Sequence, residues 1–207
     1  IAFSGQAPSN KVKDALNSGI FNVMFNQFNV EQVALMNPCD LVDTYWDKVS
    51  PIRYQTKLFQ IVMFARRIRR IGSLSSLLSN SQIPIRLHTR NDIDRFWNGF
   101  DILQTSLKTF KVSYLKETTT LLHYLLDTGF DCVKPDLVVM KVAKSIGIVE
   151  SDKGDKNFRI VVRFLQEYCL NRQIRPSIID LYLLIDGGQK EMKKLVHPNF
   201  YKRQYLN

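Results

Sequence analysis

Cysteine is scarce in this chain. Cys39, Cys132 and Cys169 are the three in 207 residues, and none stands at a CxxC spacing. An odd, sparse set argues against a disulfide framework or an iron–sulfur cluster and points to a reducing compartment. Histidine is equally scarce: His88, His123 and His197 do not stand at ligand spacing, so neither a metal site nor a cofactor is expected. No apolar run reaches the roughly 18 residues that a membrane-spanning helix needs. The first residues, Ile1-Ala2-Phe3-Ser4-Gly5, carry no charged region ahead of an apolar block, so no signal peptide is expected. Acidic residues are in deficit, 19 against 29 lysines and arginines, which leaves a formal charge of +10. A surplus of that size points to a polyanionic partner, chiefly nucleic acid. A monomer in the cytoplasm (nucleoid-associated in a bacterium) or the nucleus is expected.

What is present reads as helix. The spacing of Val12, Ala15, Leu16, Ile20 and Val23 predicts a first helix hinged at Gly19. Asn29 caps a short helix from Val30 to Met36, and Asn37-Pro38 repeats the device ahead of a helix carrying Tyr45 and Trp46. The strongest pattern runs from Tyr54 to Ile71, with Arg66, Arg67, Arg69 and Arg70 at its C-terminal end, where arginine complements the helix dipole. Short helices are expected over Leu74–Leu78 and Arg90–Phe100, the latter with Trp97, then over Ile102–Val112 and residues 114–127. Later come Phe158–Leu170 and Ser177–Ile185, followed by a basic, aromatic tail from Lys190. Helices joined by short polar loops, without a convincing hairpin of strands, make an all-α chain.

One stretch organises the rest: Thr128-Gly129-Phe130-Asp131-Cys132-Val133-Lys134-Pro135-Asp136, followed by an apolar run to Ile148. Gly129 ends one helix, Pro135 sets the first turn of the next, and Asp136 sits inside that turn. Val138, Val139, Val142, Ala143 and Ile146 form the buried stripe, with Lys141 and Lys144 opposite. A carboxylate at a helix N-terminus is stabilised as an anion by the unpaired N–H groups there.

Those residues, with Met140-Lys141-Val142-Ala143-Lys144-Ser145-Ile146-Gly147-Ile148, resemble the helix-hairpin-helix superfamily of DNA base-excision glycosylases. The resemblance extends to Tyr54-Gln55-Thr56-Lys57 with Gly72-Ser73-Leu74 behind it, and to the late helix Arg175-Pro176-Ser177-Ile178-Ile179-Asp180-Leu181-Tyr182-Leu183. It implies a single domain over 1–207, a two-lobed helical bundle with a cleft. The lobes would be 1–29 plus 150–207 and 30–149, with the hairpin at 112–120. It also implies that Asp136 is the catalytic carboxylate, acting on double-stranded DNA that carries a damaged base. An oxocarbenium-like transition state needs a fixed anion beside the sugar, and the everted base needs an aromatic pocket. Tyr45, Trp46 and Trp97 are candidates for that pocket, although each has an ordinary use in a core.

The hairpin departs from the family. Where a Gly-x-Gly turn would offer N–H groups to a phosphate, this chain has Leu115-Lys116-Glu117-Thr118-Thr119-Thr120. Lys116, Thr118 and Thr119, with Lys134 beyond, are the remaining candidates for DNA contact. The lysine of strand-nicking members has no counterpart in register, so hydrolysis without lyase activity is expected on an alkylated purine. Lys116 reaching the sugar is the runner-up. Two other classes stand beside the enzyme: a non-catalytic DNA-binding member of the same fold, and a basic helical module that binds another protein.

Overall fold

A computed structural model describes residues 9–49 and 52–186. The expected lead-in, the break at Pro51, His197 and the tail from Lys190 lie outside the described residues. Among the described residues there are helices and no strands, as the pattern predicts. In order they are α1 Ser9–Asn17, α2 Ile20–Met24, α3 Val30–Leu35, α4 Pro38–Tyr45, α5 Thr56–Ile71 and α6 Leu74–Ser81. They continue as α7 Arg90–Thr109, α8 Thr118–Asp127, α9 Leu137–Ser145, α10 Asp155–Arg172 and α11 Pro176–Asp186. None is long and apolar enough to cross a membrane.

The local stops are those the sequence announces. Gly19 separates α1 from α2 at φ 71°, a left-handed conformation that glycine reaches without a Cβ clash. Asn29 accepts from the Gln32 N–H, and Asn37 from the Cys39 N–H with Pro38 at the first helical position. Three expectations need correction. Residues 114–117, expected as the start of a helix, form a turn ahead of α8. The segments expected as separate helices before and after Asp101 form one helix, α7, of 20 residues. Ile93, Phe96, Trp97, Phe100, Leu103 and Leu107 are all buried on it, so a single apolar stripe runs unbroken along its length. In α9 the buried residues are Val139, Met140 and Ala143, whereas Ile146 is exposed at the helix C-cap.

The described residues divide into two compact units, 9–49 and 52–81 with 103–116, and 82–102 with 117–186. In the first, α3 and α4 pack on α5 around Phe21, Met24, Phe25, Leu41, Leu58 and Val62. Arg66 is held inside this unit. Its Nε donates to the Ala34 carbonyl at 3.0 Å and its Nη2 to the Met36 carbonyl at 2.9 Å, closing the C-terminal end of α3. Arg69 pairs with Glu31 at 2.7 Å. Two of the four arginines expected to complement the dipole of α5, Arg66 and Arg69, thus bond residues of α3 and its C-terminal end instead.

In the second unit α10 packs against α8, α9 and α11, and α9 against α11. Arg159 bonds Asp101 and Asp155 and lies over the rings of Trp97 and Phe100, while Arg163 pairs with Asp94 and Glu167.

Candidate functional site

The loop 128–136 leaves α8 through Gly129, at φ 93°, where the Gly129 and Phe130 N–H groups donate back to the carbonyls of Leu126 and Leu125. From there Asp131 and Lys134 tie the loop to distant elements. The Asp131 N–H donates to the Ile85 carbonyl at 3.0 Å, and its carbonyl accepts from Gln166 Nε2 at 2.9 Å. Its buried carboxylate accepts from Arg86 Nη1 and Arg175 Nε, both at 3.1 Å, and from the Leu87 N–H at 3.2 Å. The same two guanidinium groups donate to the Gly129 carbonyl. Three donors on one buried carboxylate meet the condition under which a buried charge is tolerated.

The chain then runs without regular secondary structure to Asp136. The Lys134 N–H donates to Asp180 Oδ1 at 2.8 Å, which anchors this run to α11. Asp136 is the N-cap of α9, one position before the helix begins, rather than a residue of its first turn. Its Oδ1 accepts from the Val138 N–H at 2.9 Å and the Val139 N–H at 3.0 Å. These two bonds satisfy orphan donors of α9 and fix the half-buried carboxylate in one orientation.

The charge of Asp136 acts on two nearby groups, Asp180 and His123. Burial pushes the Asp180 carboxyl up to about 6; the Lys134 N–H bond opposes this, and the charge of Asp136 adds to it. Burial also lowers the imidazole of His123, as does Lys134, against the pull of Asp127 and Asp136. His123 Nε2 stands 3.3 Å from Asp127 Oδ2. Among the described residues no group of three or more His, Cys, Asp or Glu is placed to hold a metal ion.

The other candidates are placed as follows. Lys134 is half-buried in the same loop as Asp136, and its charge acts on both His123 and Asp180. Lys116 is exposed, and its carbonyl accepts from Gln104 Nε2 at 3.1 Å. Glu117 occupies the N-cap of α8 without a side-chain cap bond. Thr118 is buried, which leaves its side chain little surface to offer a phosphate; Thr119 is half-buried. The turn before α8 has left-handed residues, but they are Lys111 (φ 54°) and Tyr114 (φ 75°) rather than glycines.

Trp97 takes the ordinary core role in the second unit. It is 7% exposed, and its indole N–H donates to Gln166 Oε1 at 3.0 Å. Tyr45 and Trp46 are half-buried against the core of the first unit, with Lys48 over the Tyr45 ring. Cys132 and Cys169 are buried free thiols; burial pushes Cys169 up to about 12.

Sequence reasoning missed Gln166, Arg86, His123 and Asp180 as parts of this assembly. One signal was available: Asp180 interrupts the apolar run Ile178-Ile179-Asp180-Leu181, and a buried carboxyl there needs a partner. The two stretches that carry the family resemblance, 127–136 and 175–183, are bonded to each other through Arg175–Asp131 and Lys134–Asp180. Comparison of the chain with protein-family models, with curated proteins and with solved structures gave no match.

Proposed function

We propose that the chain is a monofunctional DNA N-glycosylase that hydrolyses the bond between deoxyribose and a damaged, alkylated purine everted from duplex DNA. The observation that carries this reading is Asp136. It is a carboxylate pinned by two N–H groups at the start of α9, after a loop whose sequence resembles the family's catalytic step. As the C–N bond breaks, its electron pair leaves with the base and positive charge develops on the sugar. A carboxylate already fixed in place stabilises that charge with no reorganisation, and it aligns or deprotonates the water that attacks the anomeric carbon. The overall charge of +10 supplies attraction to the backbone. Of the three aromatics, Trp97 is committed to Gln166 in the second unit, whereas Tyr45 and Trp46 are half-buried in the first. Hydrolysis proceeds without strand nicking, and Lys116 contacts DNA as a charge.

A second reading has its own observation. Glu117 caps α8 where a phosphate would sit and Thr118 is buried, which favours a DNA-binding protein without turnover. A panel of duplex oligonucleotides carrying modified bases separates the two. The enzyme releases a base and leaves an alkali-labile abasic site on at least one lesion, and Asp136→Asn does not. Tight, salt-sensitive binding with no abasic product from any lesion would select the second reading.

A further inference from the structure

The second unit has a groove of about 520 Å³ between the 86–88 segment and the end of α10, lined among others by Arg86, His88, Asp131, Leu170 and Arg175. Asp136 is not part of its lining. We infer that this groove is a phosphate-binding site, with Arg86 as its principal ligand.

The case rests on how the guanidinium donors are spent. Arg86 uses Nη1 alone, on Asp131 and the Gly129 carbonyl. Among the described residues, its Nε and Nη2 have no protein acceptor. Those two form the edge of a guanidinium that forks onto two oxygens of a phosphate. Arg175 spends Nε on Asp131 and Nη2 on Gly129 and keeps Nη1. Both side chains are close to half-exposed, 45% and 46%, while the carboxylate that pins them is 6% exposed. Arginine frequently takes a carboxylate through its fork; Arg86 is held by one nitrogen, with its fork left over. Two guanidinium charges against one carboxylate leave the groove cationic, and a pinned guanidinium loses little rotamer freedom when an anion arrives. Asp92, which accepts from the His88 and Thr89 N–H groups, is the nearby opposing charge, and Arg95 pairs with it.

Phosphate could come from the DNA backbone or from a small phosphorylated molecule, and the site does not depend on the proposed glycosylase activity. The test titrates the full chain with inorganic phosphate and, separately, with a short undamaged duplex across a salt series. The proteins compared are wild type, Arg86→Lys and His88→Glu. The lysine keeps the charge on Asp131 but loses the fork; the glutamate puts a negative charge at an exposed position on the lip and leaves the clamp intact. Saturable phosphate binding weakened about tenfold or more in both variants supports the site. A shallower salt dependence of duplex binding in His88→Glu, with weaker duplex binding in Arg86→Lys, assigns the groove to the backbone. Unchanged duplex binding assigns it to a small phosphate. Phosphate that fails to bind wild type, or binds all three proteins equally, overturns the inference.

Discussion

The two units use arginine differently. In the first, Arg66 closes the end of α3 by donating to backbone carbonyls, and Arg69 pairs with the exposed Glu31. These bonds lie at the margin of an apolar core, and water can replace them cheaply. In the second, the polar groups run through the interior. Trp97 donates to Gln166, Gln166 to the Asp131 carbonyl, and the Asp131 carboxylate collects Arg86 and Arg175. Where polar groups are buried, every member must be satisfied, and removing one exposes the cost of the rest. The unit carrying the candidate catalytic loop should therefore be the more fragile to single polar substitutions.

Mutation can break this contrast. The largest loss is expected from Asp131→Ala, which strands two guanidinium groups and the Leu87 N–H. About 4 kcal/mol should go from the stability of the second unit, read by denaturant unfolding. A loss below about 1 kcal/mol would mean that the clamp is decorative.

Asp180→Asn sharpens the comparison through pH. A carboxyl raised to about 6 in the fold binds its proton more tightly there than in the unfolded chain, where it titrates near 3.8. It therefore costs stability above pH 6, and the cost is lifted as pH falls toward 3.8. The asparagine variant should be the more stable at pH 8, by at most about 3 kcal/mol, with the advantage shrinking as the pH falls to about 4. His123, whose imidazole is lowered by burial, acts in the opposite sense, losing stability as pH falls; the difference between the two proteins removes its contribution. A pH-independent difference would contradict the assignment.

Gln166→Leu should cost about 2 kcal/mol, because it leaves the Trp97 indole N–H and the Asp131 carbonyl without partners inside the unit. Amide exchange at residues 129–136 should quicken in the same variant. In the first unit Arg66→Met should cost only about 1 kcal/mol, since it keeps the aliphatic packing and leaves two partly accessible carbonyls to water. A cost equal to that of Gln166→Leu would erase the contrast between the units.

The sequence carried what is local. The glycine breaks, the asparagine caps and the Pro38 start are legible because each residue type acts within a few positions of itself. Asp136 was placed at the correct helix for the same reason, one position too far in. The reading of two segments, 90–100 and 102–112, misses the length of α7, because the apolar stripe continues past Asp101. The wiring of the loop was not legible. Gln166 reaches Asp131 across 35 positions, Arg175 across 44 and Arg86 across 45, and no periodicity records such partners. Thr118 is a candidate because it stands at the start of a helix; its burial is set by the packing of α8, which local sequence does not reveal.

Asp136→Asn tests the central claim most directly, because asparagine caps a helix about as well as aspartate and removes only the charge. Single-turnover formation of abasic sites on the best lesion substrate should fall by roughly 10² to 10⁴, while the melting temperature changes little. Equal rates in the two proteins, with the fold intact, would contradict the claim that this carboxylate carries the chemistry.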